Sequence, residues 1–335
     1  MRKGYLILLF VAIVTLSAVV FFSQAQPPDK RSMTLYEADS PSGLKAHIEA
    51  LDKAADDGYV DAEVFVGNDK LPVTLHLCPW GAYEATPLEW IDDNLLLVDG
   101  HYVYNVDTGN LKNILPISGL SISDYEVDLT RTHLALFGAK EGEMQVWLVD
   151  LSAPYTATHV YTHPPLPPEL AGNLVQQVAW GSDGTLYFDA FDGTTPVILR
   201  YLNGETCVFK QGACLPVASP NGEILAYKAA THLQWKLSQP PRTVICWLNG
   251  SSEQALDVVG KVNWARNGRA FAVTNPGEYR IYGVEKSCIK LLKEATDAPG
   301  ARAFFDMENG KAFFKRVEFL QDGQLGGVIR EDVSL

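Results

Sequence analysis

Short apolar runs separated by tight polar turns follow one another along most of the chain. Residues 95–98, 134–137 and 270–273 are examples, and each run has the length of a buried strand. Helical periodicity is nearly absent from residue 85 onward. The pattern therefore predicts an all-β fold for this part of the chain.

A polar turn follows the first strand of each predicted unit, and these turns recur at intervals of 38 to 53 residues. A four-stranded unit of about 40–50 residues has the size of a β-propeller blade. The turns favour six blades, and a seventh blade built from residues 60–80 is the alternative. A strand near residues 72–77 is expected to complete the last blade and close the ring. The turns are Asp92-Asp93, Thr130-Arg131, Asp183-Gly184, Asn221-Gly222, Asn267-Gly268 and Asn309-Gly310.

Two stretches carry a resemblance to a known repeat. Residues 178–188 read V-A-W-G-S-D-G-T-L-Y-F, and residues 219–222 read S-P-N-G. They resemble the W-S-P-D-G-x-x-L-x-F core of the PD40 repeats in the propellers of TolB-like and prolyl-oligopeptidase-type proteins. The resemblance covers roughly residues 85–320 and implies a propeller of four-stranded blades. It implies no activity, because one fold hosts many unrelated functions.

The N-terminus has the pattern of a membrane address. Arg2 and Lys3 precede an apolar run over residues 5–22, which would span roughly 27 Å as a helix. The positive charges favour a cytoplasmic N-terminus, so the rest of the chain is expected to be extracytoplasmic. Residues 1–26 are interpreted as a single-pass signal-anchor or as a signal peptide. In the second case cleavage after Ala25 gives a secreted or periplasmic protein.

Residues 27–60 are predicted to form a polar tether followed by one short helix. Pro41 suits a first helical turn, and Leu44, Ile48 and Leu51 share one helical face. The propeller is assigned to residues 61–335.

Charge and motifs exclude several classes of function. The chain has 27 Lys and Arg against 40 Asp and Glu, a net charge of −13, which disfavours nucleic acid as a partner. His159 and His163 are the only close histidine pair, and on a strand they would lie about 13 Å apart. We predict no catalytic residue, no cofactor and no metal ligand. Trp90, Trp180 and Trp264 recur at one position of the repeat, which favours packing between blades over sugar stacking.

The long connections all belong to one face of the predicted ring. They are residues 116–124, 164–173, 229–242 and 295–300, and they join either strands two and three of a blade or successive blades. Binding residues concentrate on such loops over a rigid scaffold. The candidate ligand-binding residues on this face are His163, His232, Gln234 and Trp235.

These patterns together predict an extracytoplasmic β-propeller that binds a ligand or a protein at the cell envelope. Its partner would be an envelope protein, a small molecule or a glycan. The alternative is an enzyme, a hydrolase or lyase acting on a glycan or peptide, with carboxylates in the central channel. The sequence motifs lean against an enzyme, and channel carboxyl groups with raised pKa values would favour one.

Overall fold

Seven antiparallel sheets surround a common axis in the computed structural model of the chain. The structure describes residues 33–50, 59–77, 87–115, 117–152, 154–164, 177–193, 195–229, 241–275, 278–296, 304–319 and 325–335. The first six sheets have four strands each and the seventh has three among these residues. Neighbours in each sheet are neighbours in sequence, which is the topology of a propeller blade.

Each blade is built from consecutive strands of the chain. Blade 1 contains β1 (Met33–Asp39), β2 (Lys45–Ala50), β3 (Val60–Val66) and β4 (Asp69–Leu77); blade 2 contains β5 (Leu88–Trp90), β6 (Leu95–Val98), β7 (Tyr102–Asn105) and β8 (Asn110–Asn113). Blade 3 contains β9 (Ser121–Val127), β10 (His133–Lys140), β11 (Glu143–Asp150) and β12 (Ala157–Thr162); blade 4 contains β13 (Val178–Trp180), β14 (Leu186–Phe191), β15 (Pro196–Leu202) and β16 (Glu205–Gln211). Blade 5 contains β17 (Ala213–Ala218), β18 (Ile224–Ala229), β19 (Arg242–Trp247) and β20 (Glu253–Leu256); blade 6 contains β21 (Lys261–Trp264), β22 (Ala270–Asn275), β23 (Glu278–Glu285) and β24 (Cys288–Ala295); blade 7 contains β25 (Phe304–Glu308), β26 (Lys311–Phe319) and β27 (Leu325–Val333).

The hydrophobic core lies in layers between adjacent blades. Phe137 of blade 3 packs in one buried cluster with Val178, Trp180 and Phe188 of blade 4. Burying each such side chain contributes about 1.5–3 kcal/mol. The first strands contact each other between blades 1 and 2, 3 and 4, 4 and 5, and 6 and 7. Strand β1 also contacts β27, so the first and last blades meet.

The propeller has seven blades, and the preference for six was wrong. All six turns expected from the sequence connect the first and second strands of a blade. The seventh copy is the turn Ser40-Pro41-Ser42-Gly43, fifty residues before Asp93. Leu44 donates its backbone N–H to Ser40 Oγ at 2.9 Å, and Gly43 has a φ of +89°, which glycine adopts without strain.

The short helix expected within residues 27–60 was also wrong, because residues 33–39 and 45–50 are strands. Ala46, Ile48 and Ala50 are buried and alternate with more exposed residues, which is the period of a strand. The spacing of Leu44 and Ile48 fits a helix equally well, and Pro41 occupies a turn instead of a helix start.

The expected closing strand near residues 72–77 lies within β4, which pairs with β3 in blade 1. Its use to complete the last blade was therefore wrong, since its pairing partner is its own hairpin neighbour. Among the described residues, no helix is long and apolar enough to cross a membrane. The apolar segment 5–22 and the tether up to Ser32 lie outside the described residues, so the signal-anchor and signal-peptide interpretations stay predictions.

A polar cavity in the central channel

The first strands of six blades enclose a cavity of about 260 Å³ at the centre of the ring. This volume is a little below the range of about 300–1,000 Å³ that is usual for small-molecule sites. The wall combines charged, amide and aromatic side chains. Its polar and aromatic members include Glu89, Asp124, Tyr125, Glu126, Gln177, Lys261, Asn263, Trp264, Phe304 and Phe305.

Three polar side chains of this wall occupy the same position of the repeat. One residue of each first strand pairs with the start of the second strand, and in three blades a polar residue comes directly before it. The paired residues in these blades are Trp90, Val127 and Trp264. These preceding residues are Glu89 of blade 2, Glu126 of blade 3 and Asn263 of blade 6. Repeat symmetry therefore places two carboxyl groups and one amide at one level of the channel.

Glu89 and Glu126 are half-buried, and neither forms an ion pair with another described residue. Burial raises the pKa of Glu89 to about 7, with the charge of Arg131 acting against this rise and that of Asp128 adding to it. Burial also raises the pKa of Glu126 well above its ordinary value; the charges of Asp124 and Glu89 raise it further, and a backbone hydrogen bond from Trp180 opposes the rise. Both shifts favour the protonated form of the carboxyl group.

Other buried carboxyl groups near the channel are used to join blades. Asp124 accepts the backbone N–H of Val178 at 2.8 Å, from blade 3 to blade 4. Asp189 accepts the N–H of Leu215 in blade 5 at 2.6 Å and that of Gln177 at 3.1 Å. These groups satisfy backbone donors that would otherwise be buried without partners.

The tryptophans at one position of the repeat differ in whether the indole N–H has a hydrogen-bond acceptor. Trp90 Nε1 donates to the carbonyl of Ala38 at 3.2 Å, and Trp180 Nε1 donates to that of Glu126 at 3.0 Å. Both bonds cross to the preceding blade, which confirms the packing role expected for these two residues. Trp264 is half-buried in the cavity wall, and its buried Nε1 has no acceptor in the described part of the chain.

The structure locates only one of the four loop-face candidates. His163 is buried, and its ring packs on Phe137 and Tyr161 with centroid distances of 5.0 and 5.2 Å. Burial lowers its pKa to about 4, against a hydrogen bond to the backbone of Asp189. His163 does not line the channel cavity. His232, Gln234 and Trp235 lie outside the described residues, so a binding site on this face stays a prediction.

The positions of the long connections are as expected. In the strand order they lie between β8 and β9, β12 and β13, β18 and β19, and β24 and β25. Residues 165–176, 230–240 and 297–303 of these connections lie outside the described residues, so the face on which they open stays a prediction. His159, the other member of the close histidine pair, hydrogen-bonds Thr162 Oγ1 at 2.8 Å. The described residues contain no group of three or more His, Cys, Asp or Glu arranged to hold a metal ion.

The sequence analysis missed Glu89, Glu126 and Asn263 as site residues. Each is separated from the others by at least 37 residues, and none belongs to a recognised motif. An alignment of the repeats on their tryptophan position would have shown a polar residue directly before it in three blades.

No family model and no curated protein matches the chain. Among solved structures, the β-propeller domain of the trilobed protease from Pyrococcus furiosus is similar, with a TM-score of 0.50, 12% identity and coverage of 91% of this chain and 96% of that one. Prolyl oligopeptidase B from Galerina marginata has a TM-score of 0.52 and 12% identity over 92% of this chain and 46% of the enzyme. TolB from Acinetobacter baumannii has a TM-score of 0.41 and 14% identity over 84% and 81%. The likeness to the first two structures shows that the chain has the propeller fold of four-stranded blades that the PD40 resemblance implied, and identities this low show the fold alone.

Proposed function

We propose that this protein is an extracytoplasmic binding module that takes a small polar ligand into its central channel. The observation that carries the proposal is the channel cavity whose wall contains two half-buried carboxyl groups, Glu89 and Glu126, with raised pKa values and without an ion pair in the described part of the chain. Burying a carboxyl group without a counter-charge costs stability, whereas apolar side chains at the same positions would pack without that cost. A bound ligand that satisfies these groups offsets the cost.

The ring suits this function because six separate blades contribute to one wall. Each wall residue is held by a paired strand on a packed blade, so the cavity is preformed before the ligand binds. Preformed sites lose less entropy on binding than sites built from loops. The long connections at one rim supply further contacts for a partner at the envelope.

A binding screen tests the proposal. The full-length chain in mild detergent is heated with neutral sugars, amines and carboxylic acids, and compounds that raise the melting temperature are retained. Their binding is then measured with Glu126→Gln and with Glu285→Gln, an exposed control on the β23–β24 hairpin. We expect the first substitution to reduce binding and the second to leave it unchanged. Compounds insensitive to both substitutions, or a screen without any hit, contradict a channel site.

The extracytoplasmic location follows from the N-terminal charges and the apolar run that comes after them. Cys207 and Cys288 are exposed, so a thiol reagent that does not cross membranes can report the side of the membrane on which they lie. We expect this reagent to label the protein in intact cells. Labelling only after lysis would show that the propeller is cytoplasmic.

One observation favours an enzyme as the second candidate. A carboxyl group with a raised pKa can act as the general acid in cleavage of a glycosidic bond, and the charge of Glu89 raises the pKa of the neighbouring Glu126 in this way. The cavity is small for a polymer, which ranks this function second. Reducing-end and peptide-hydrolysis assays test it. Activity abolished in both Glu89→Gln and Glu126→Gln would place catalysis in the channel.

A further inference from the structure

We infer that Asn249 carries an N-linked glycan on the turn between β19 and β20. Asn249-Gly250-Ser251 is the only stretch of the sequence with the N-x-S/T acceptor pattern of N-glycosylation, in which the middle residue is not proline. The inference rests on the extracytoplasmic location proposed above, since this pattern is modified in exported proteins. It is independent of the channel cavity and of any ligand in it.

Five tight turns of the propeller contain an Asn-Gly pair, and four of them serve as internal comparisons for the fifth. Asn and Gly suit tight turns wherever they occur, so the pair alone indicates only a hairpin. The residue two positions after the asparagine is charged in four of these turns, and it is serine only after Asn249. The turn itself therefore does not require the hydroxyl group that completes the acceptor pattern. The pairs begin at Asn203, Asn221, Asn249, Asn267 and Asn309.

Backbone groups hold the acceptor turn without the serine hydroxyl. Gly250 donates its N–H to the carbonyl of Trp247 at 2.9 Å. Ser251 donates its backbone N–H to Asn249 Oδ1, also at 2.9 Å. Within the described ranges, neither Asn249 Nδ2 nor Ser251 Oγ has a hydrogen-bond partner. The fold therefore leaves both functional groups of the acceptor pattern available to an enzyme.

The acceptor turn has room for a bulky group. Asn249, Gly250 and Ser251 are all exposed. Beyond the adjoining residues, no atom lies within 4 Å of the place where a Cβ on Gly250 would stand. The Asn-Gly turn after β17 differs, because a Cβ on its Gly222 would lie 2.5 Å from the backbone nitrogen of Ser182 in blade 4. A glycan on Asn249 therefore displaces no neighbouring blade.

The acceptor turn opens away from the connections between blades. Strands β19 and β20 are the antiparallel third and fourth strands of blade 5, so their turn lies on the same face as the turn between β17 and β18. The N–H of Leu248 donates to the carbonyl of Glu223 at 2.9 Å, which joins the two turns. No residue of the acceptor turn lines the channel cavity. A glycan here leaves the cavity and the connections between blades open to a ligand or partner.

The modification is a substitution at the anomeric carbon of an activated sugar. The co-reactant is a glycan linked through a diphosphate to a lipid carrier. Asn249 Nδ2 forms the new bond to the anomeric carbon, and the bond from this carbon to the diphosphate breaks. The diphosphate leaves with the electron pair, and a base of the transferase takes the proton that Nδ2 loses. Nothing is oxidised or reduced in this step.

Mass spectrometry of the full-length protein, isolated from the cells that make it, tests the inference. Trypsin releases residues 243–261, and Asn249 is the only asparagine in this peptide. We expect the peptide to be heavier by one or more sugar residues, with the added mass on Asn249 in the fragmentation spectra. A peptide that holds only unmodified asparagine, or aspartate formed by deamidation, overturns the inference.

Substitutions of the two adjacent serines test whether the acceptor pattern is the cause. Ser251→Ala removes the hydroxyl and is expected to abolish the added mass, whereas Ser251→Thr is expected to keep it. Ser252→Ala is the matched control, because this serine lies directly outside the pattern, and it is expected to keep the added mass. Added mass on Asn249 that persists in Ser251→Ala overturns the inference.

Lys311→Ser separates failure of the acceptor from failure of the proposed location. It places a hydroxyl two residues after Asn309, on an exposed turn whose Gly310 also has open space around it. If Asn309 of this variant is glycosylated and Asn249 is not, the protein meets the transferase and the inference for Asn249 alone is overturned. If neither asparagine is glycosylated, the inference is overturned too, and the thiol labelling of intact cells then decides the location independently.

Discussion

Carboxyl groups at a blade interface and in the central channel of this propeller differ in the hydrogen bonds that they accept. At the interface of blades 4 and 5, Asp189 accepts two backbone N–H groups. In the channel, Glu89 has no hydrogen-bond partner among the described residues. Burial raises the pKa of both groups. The difference indicates that the interface carboxyl stabilises the ring through its hydrogen bonds, whereas the channel carboxyl has a raised pKa and lowers the stability of the folded state at high pH.

The largest effect is expected where a carboxyl group joins blades. Asp189→Ala leaves the N–H groups of Gln177 and Leu215 without their acceptor. At about 1–3 kcal/mol for each of the two buried unsatisfied groups, we expect the free energy of unfolding to fall by roughly 2–6 kcal/mol. Denaturant unfolding followed by tryptophan fluorescence measures this loss.

Asp189→Asn is the matched control for this substitution. It keeps one oxygen acceptor and removes the charge, and burial already favours the neutral form of Asp189. We expect Asp189→Asn to unfold within about 1 kcal/mol of the wild-type protein. An alanine variant as stable as the asparagine variant would mean that the two N–H groups do not depend on Asp189.

A substitution of a channel carboxyl group is expected to raise the free energy of unfolding, whereas Asp189→Ala lowers it. The pKa of Glu89 is raised from 4.5 to about 7, so the folded state binds this proton more tightly than the unfolded state. Stability is therefore lost as the pH rises from the unfolded to the folded pKa. We expect Glu89→Gln to raise the free energy of unfolding at pH 8 by at most about 3 kcal/mol.

The control for Glu89→Gln is the pH itself. At pH 4 the glutamic acid is protonated in both states, so the same substitution is expected to change the free energy of unfolding little. Equal effects at pH 4 and pH 8 would show that packing, and not the buried charge, distinguishes the two side chains.

The contrast between interface and channel was only partly visible in the sequence. The six aligned turns were confirmed because Gly, Asn and Asp suit the backbone of tight turns wherever they occur. The seventh turn, residues 40–43, has the same S-P-x-G pattern as residues 219–222. Because Leu44 and Ile48 are spaced as on a helix, this segment was predicted to be helical instead. Only the strand pairing of β2 with β1 and β3 resolves that ambiguity.

The channel residues could not be predicted for a different reason. Glu89 and Glu126 come together because two blades face one axis, and this closure is a property of the ring as a whole. Their local sequence resembles that of any half-buried strand residue. The recurrence of tryptophan predicted the packing of Trp90 and Trp180, whereas nothing in the sequence distinguishes Trp264 as the residue whose Nε1 has no acceptor in the described part of the chain.

The smallest effect distinguishes the tryptophans. Trp180→Phe and Trp264→Phe remove similar volume, but only the first removes an indole hydrogen bond, the one to the carbonyl of Glu126. We expect Trp180→Phe to lower the free energy of unfolding by about 1 kcal/mol more than Trp264→Phe does. Equal losses of stability in the two variants would mean that the indole hydrogen bond of Trp180 adds nothing to the packing of its ring between the blades.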